Sequence, residues 1–65
     1  MRVNNEEIFI EKEISLYELL ISKNFEPSKV AVELNQKIVP KIEYETTFLK
    51  NSDVLEIVWF VGGGW

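Results

Sequence analysis

The sequence predicts an α+β domain in which one main helix lies across one face of a mixed sheet of four to five strands. Three observations predict it. Ser15-Leu16-Tyr17-Glu18 matches the S-x-x-E capping box and opens a leucine stripe at helical spacing. Residues 29–34 alternate apolar and polar side chains, and residues 54–61 form the longest strand signal in the chain. Asn4-Asn5 and Asn35-Gln36 stand where hairpin turns would fall, and asparagine tolerates the left-handed backbone such turns require. Sixty-five residues make one small domain with a thin core.

Taken in order, Met1 to Asn4 reads as a short first strand anchored by Val3. Asn4-Asn5 turns the chain, and Ile8-Phe9-Ile10 reads as the returning strand because it is β-branched and aromatic. In the helix, the Ser15 hydroxyl can accept from the Glu18 N–H while the Glu18 carboxylate reaches back to the Ser15 N–H. Ile14 and Leu19 have the spacing of a hydrophobic staple, and Leu16, Leu19 and Leu20 form one buried stripe. Lys23 is expected in the last turn, where a cation suits the dipole. Asn24 can close the helix in the left-handed region, and Glu26-Pro27 prevents continuation.

Val30, Val32 and Leu34 share one face of the next strand, with Ala31 and Glu33 on the other. Asn35-Gln36 turns, Ile38-Val39 returns, and Pro40 ends the ladder because it has no N–H to donate. Residues 41–50 are irregular, with Tyr44, Phe48 and Leu49 as anchors. Asn51-Ser52-Asp53 is a tight turn into the strand at 54–61, expected to lie centrally and parallel to the first strand. The expected core is Val3, Ile10, Leu16, Leu19, Leu20, Val32, Leu34, Leu49, Leu55 and Ile57. Residues 1–61 form the folded domain, and 62–65 a flexible glycine-rich tail.

Composition bounds the function. Hydrophobic residues are 46% and charged residues 28%, a globular balance. No Cys and no His occur, which removes the usual thiolate nucleophile, general base and metal ligands. Carboxylate pairs at Glu11 and Glu13 and at Glu43 and Glu45 read as solvated surface. Seven basic against eleven acidic residues give a net charge of -4, which disfavours nucleic acid and favours a basic protein surface. The longest apolar run, Ile57 to Val61, is far below the ~20 residues of a membrane helix, and no signal-peptide pattern opens the chain. Composition thus argues against an enzyme and sets the expectation of a protein with no metal, no nucleic acid and no membrane.

Val30-Ala31-Val32-Glu33-Leu34-Asn35 followed by Ile38-Val39-Pro40-Lys41 resembles the middle of the ThiS sulfur carriers of thiamine biosynthesis. So does Asn51-Ser52-Asp53-Val54-Leu55-Glu56-Ile57-Val58 with Phe60-Val61-Gly62-Gly63-Gly64 after it. The resemblance spans essentially the whole chain. It departs from the family pattern at Gln36 and Ser52, where glycine is common, at Lys41, where arginine is common, and at Trp65, which follows the last glycine.

The resemblance implies a ubiquitin-like β-grasp fold, a cytoplasmic location and no enzymatic activity. It implies two partners, a ThiF-like adenylating enzyme and a ThiG-like thiazole synthase. The carrier binds no cofactor itself, and ATP and Mg²⁺ are used by the adenylating enzyme. It also implies that the Gly64 carboxylate, once Trp65 is removed, is adenylated and converted to a thiocarboxylate, with Gly62 and Gly63 threading into the partner. Glycine suits that role: without Cβ it enters narrow channels and leaves the acyl carbon unshielded. If Leu55 and Ile57 face the helix, alternation places Glu56, Val58 and Phe60 on the open face, with Trp59 inward or toward the edge where the core runs out, core being the preferred reading. Val58 and Phe60 are then the candidate docking patch. Two alternatives stay open: a carrier of another pathway, of the molybdopterin synthase small-subunit type, and a ubiquitin-like interaction module whose tail is not activated.

Overall fold

A computed structural model describes residues 1–59 of the chain. Its strands are β1 (Arg2–Val3), β2 (Glu6–Glu7), β3 (Ile14–Ser15), β4 (Val30–Leu34), β5 (Lys37–Ile38), β6 (Phe48–Leu49) and β7 (Val54–Trp59), and its helix is α1 (Leu16–Ser22). Short 3₁₀ turns cover Pro27–Lys29 and Lys41–Glu43.

Five strands form one sheet in the order β2-β1-β7-β4-β5, and β3 pairs β6 in a separate ribbon. β7 is interior. It runs parallel to β1, with Val3 opposite Leu55, and antiparallel to β4 from Val30–Trp59 to Leu34–Leu55. The mixed sheet and the central position of the last strand match the expectation; residues 60 and 61 of that expected strand lie outside the described residues.

Both hairpins turn through paired left-handed residues, Asn4 (φ 49°) with Asn5 (φ 70°) and Asn35 (φ 51°) with Gln36 (φ 72°). This backbone matches the right-handed twist of the flanking strands. The capping box is formed: the Glu18 N–H donates to Ser15 Oγ at 3.0 Å, and the Ser15 N–H donates to Glu18 Oε1 at 3.1 Å. At the other end Asn24 takes φ 66°, the Asn24 N–H donates to the Ile21 carbonyl at 3.0 Å and the Phe25 N–H to the Leu20 carbonyl at 2.9 Å. That pair of bonds is a Schellman closure, with Asn24 in the place glycine commonly takes. Lys23 sits at the C-cap, just beyond the last turn, and its ammonium donates to Glu6 at 3.2 Å.

Leu16, Leu19 and Leu20 meet Val3, Val32, Leu49, Leu55 and Ile57 in one buried cluster, which places the helix on one face of the sheet. Each fully buried leucine contributes about 1.5–3 kcal/mol of transfer free energy. Met1, Val30, Val39 and Tyr44 belong to the same core.

Several local expectations are corrected. Residues 8–10 are not a strand: β2 is Glu6–Glu7, and only Ile8 continues its pairing, exchanging two bonds with Met1 at 2.7 and 2.8 Å. The backbone of Ile10 is taken up by the Asn51 side chain, which leaves Phe9 exposed and Ile10 only partly buried. Leu34 is also only partly buried. Phe48 points outward, because β6 alternates and Leu49 takes the inward position. Trp59 is 46% exposed rather than core: it ends β7, where Phe25 covers one side of the indole at a centroid distance of 5.3 Å.

Candidate docking face and tail

The candidate site starts from β7. Its inward residues Leu55 and Ile57 are buried, so period-two alternation sends Val54, Glu56 and Val58 to the open face. Val58 is 61% exposed and lies opposite Ala31 of β4. In the next row Glu33 and Glu56 face each other directly, and Ile38 of β5 stands beside Glu33. At the far end Arg2 lies between Val54 and Glu7 and makes a 4.0 Å ion pair with Glu7. The face is therefore apolar at Val58, Ala31 and Ile38, with carboxylates in its middle row. Exposed apolar side chains grouped on one face of a small domain are a common feature of protein-binding surfaces.

Of the expected site residues, Val58 is placed on this face as alternation required. Phe60, Gly62, Gly63, Gly64 and Trp65 lie outside the described residues. Glu11, Glu13, Glu43 and Glu45 are exposed. No group of three or more His, Cys, Asp or Glu among the described residues is placed to hold a metal ion.

Three asparagine side chains escaped sequence reasoning. Asn4 Oδ1 accepts from the Ile57 N–H at 2.7 Å, and Asn4 Nδ2 donates to the Ile57 carbonyl at 3.1 Å. Asn51 makes the same two-bond exchange with Ile10, at 2.9 Å each way. Asn35 Oδ1 accepts from the Val54 N–H at 2.9 Å, and its Nδ2 donates to Asp53 Oδ1 at 3.0 Å. The turn composition marked Asn4 and Asn35 as left-handed residues; their second role joins segments far apart in the chain, which local pattern does not encode.

Lys41 and Tyr44 also have a structural part. The Lys41 ammonium and the Tyr44 hydroxyl both donate to the Val30 carbonyl, at 2.6 and 3.1 Å, and the ammonium lies 5.8 Å from the Tyr44 ring centroid. Burial pushes the Tyr44 phenol above its usual pKa, because the phenolate would lose solvation there.

Residues 1–64 match the ThiS family. The chain is 37% identical over 65 residues to the sulfur carrier protein ThiS of Bacillus subtilis, covering 98% of each chain. It is 38% identical over 64 residues to a thiazole synthase of Magnetococcus marinus, covering 98% of this chain but 20% of that protein. Among solved structures, the crystal structure of the thiamine biosynthesis protein ThiS from Geobacter metallireducens superposes with a TM-score of 0.83 at 27% identity, over 97% of this chain and 96% of that one.

Proposed function

The chain belongs to the ThiS family of sulfur carriers of thiamine biosynthesis, with their β-grasp fold, and from that premise we propose that it carries sulfur as a thiocarboxylate on Gly64. The observation that carries this reading is the extent of the family match, which runs through Gly62 and Gly63 and ends on Gly64, leaving Trp65 outside it.

In this reading the chain is no enzyme and binds no cofactor. A ThiF-like adenylating enzyme brings ATP and Mg²⁺ in the cytoplasm. An oxygen of the Gly64 carboxylate attacks the α-phosphorus of ATP, and pyrophosphate leaves. Sulfur at the oxidation level of sulfide then attacks the acyl carbon, AMP leaves, and the thiocarboxylate remains. A ThiG-like thiazole synthase consumes the sulfur. The relative in which a segment like this chain makes up 20% of a thiazole synthase supports that partner, since carrier and acceptor then share one polypeptide. Among the described residues no helix is long and apolar enough to cross a membrane.

While Trp65 is attached, the Gly64 carboxylate is an amide carbonyl and a poor nucleophile, and an indole does not fit a channel shaped for glycine. The test is pyrophosphate release and intact mass with the adenylating enzyme, ATP, Mg²⁺ and a donor of sulfide-level sulfur, on the 65-residue chain, a chain ending at Gly64, and that shorter chain with Gly64→Val. Only the second should release pyrophosphate and gain the mass of one sulfur-for-oxygen exchange. Equal reaction of the 65-residue chain would overturn the terminal-glycine mechanism. Failure of all three would favour an interaction module with an inactive tail.

A further inference from the structure

We infer that Asn4 is a positioning residue for delivery of the tail: its side-chain amide acts as an extra strand residue that holds the second half of β7, the strand from which the tail departs. The inference rests on the carrier reading, because it gives the restraint a purpose.

β1 is only Arg2–Val3, yet its neighbour β7 runs from Val54 to Trp59. The backbone ladder between them stops when the Asn4 N–H donates to the Leu55 carbonyl at 3.0 Å. There the chain turns away through two left-handed residues, and the next pair of β7 groups on that side, the N–H and carbonyl of Ile57, would face no strand. The Asn4 amide fills the gap. A primary amide carries one carbonyl acceptor and an N–H donor in the same plane, as a peptide group does. At 2.7 and 3.1 Å it meets both Ile57 groups across 53 residues of sequence.

On the other side Ile57 lies in register opposite Val32 of β4, but both of its backbone groups point to Asn4, so the Asn4 amide is what fixes them. Val58 displays the candidate docking patch one residue on, and Gly64 follows seven residues after Ile57. Docking surface and reacting carboxylate thus hang from one strand. A partner that grips Val58 finds the end of β7, to which the tail is joined, in a fixed place only if β7 does not slide or fray at this point. Small misplacements of reacting groups carry large rate penalties.

Asn4→Gly separates the two roles of the residue, since glycine adopts φ 49° without strain but has no amide. Asn4→Asp keeps the acceptor for the Ile57 N–H and turns a second oxygen onto the Ile57 carbonyl. The control is Asn51→Ala, which removes an amide exchange of the same kind from Ile10, outside β7. In the 65-residue chain, amide hydrogen exchange at Ile57 should speed up at least tenfold in Asn4→Gly and stay within about twofold in Asn51→Ala once both are corrected for global stability. In chains ending at Gly64, Asn4→Gly and Asn4→Asp should lower kcat for pyrophosphate release at least tenfold with KM changed less than about threefold, while Asn51→Ala at matched thermal stability keeps its kcat. Unchanged Ile57 exchange, or equal kcat losses in Asn4→Gly and Asn51→Ala, would overturn the positioning role. If the parent ending at Gly64 is itself inert, the carrier reading falls and Asn4's part in delivery falls with it; if the parent reacts and Asn4→Gly matches it, only the inference falls.

Discussion

Asn35 and Asp53 form a lock between the two turns that flank the centre of the sheet. Asn35 Nδ2 donates to Asp53 Oδ1 at 3.0 Å, and the other carboxylate oxygen of Asp53 accepts from the Lys50 N–H at 2.9 Å. Asp53 is buried, so each of these bonds satisfies a group with little access to water. Removing the carboxylate leaves the Lys50 N–H and the Asn35 amide unpaired. Asp53→Ala is expected to lower the free energy of unfolding by about 1.5–3 kcal/mol, the range for hydrogen bonds to a charged group. Urea denaturation reads this directly. A loss below about 0.5 kcal/mol would mean that packing alone holds the two turns together.

The residue after Asn35 has the same backbone but none of its side-chain partners. Gln36 takes φ 72°, a region that costs a side chain with Cβ about 1–2 kcal/mol. Gln36→Gly should therefore stabilise the chain by about 0.5–1 kcal/mol after the extra chain entropy of glycine is subtracted. For a domain of this size that raises Tm by about 3–6 °C. Asn35→Gly should move the other way, because it gives up the bonds to Val54 and Asp53. Thermal unfolding followed by circular dichroism compares the two. The same sign of shift in both would contradict the account of either turn position.

Tyr44 links the irregular segment to β4. Its hydroxyl donates to the Val30 carbonyl, and burial raises its pKa above the ordinary value of 10.0. In the unfolded chain the phenol loses its proton near pH 10, while in the folded chain it keeps it to higher pH. Over that window the unfolded state binds fewer protons, so the stability contribution is intact below about pH 10 and is lost as pH rises through the folded value. Tyr44→Phe should cost about 0.5–1.5 kcal/mol at neutral pH and flatten the alkaline decline. Lys41 is kept in both proteins, so the difference in slope between pH 9 and 11 reports the loss of the phenol. An unaltered alkaline slope would assign the decline to other groups.

Much of this molecule was legible in the sequence because its signals are local and agree with one another. The Ser15–Glu18 box, the leucine stripe, the two left-handed turns and the alternation in β4 and β7 each need only a few neighbouring residues. What failed was non-local. Ile8-Phe9-Ile10 has strand composition, but two-residue β1 offers no partner beyond Ile8, and the Asn51 amide captures Ile10 instead. Trp59 has inward parity, but it is the last residue of β7, and Phe25 supplies only partial cover. The asparagine amides are the clearest case: composition marks the turns, while the bonds to Ile57, Val54 and Ile10 depend on the finished sheet.

The docking face gives the last prediction. Val58 is largely exposed and loses little burial on substitution, so Val58→Lys should leave the fold and Tm close to those of the parent. Lysine is the better probe than aspartate, because Glu33 and Glu56 already set two carboxylates in the next row and a third would add repulsion within the sheet. A partner that buries Val58 must desolvate the new ammonium, and binding to the adenylating enzyme or thiazole synthase should weaken by about 1–3 kcal/mol. Phe60→Lys is expected to act in the same way on the sequence reading that pairs Phe60 with Val58 by period-two alternation. Isothermal titration of both variants with each enzyme checks this. Unchanged affinity with unchanged Tm would move the docking surface away from β7, whereas a large fall in Tm for Phe60→Lys with unchanged binding would assign Phe60 to the core.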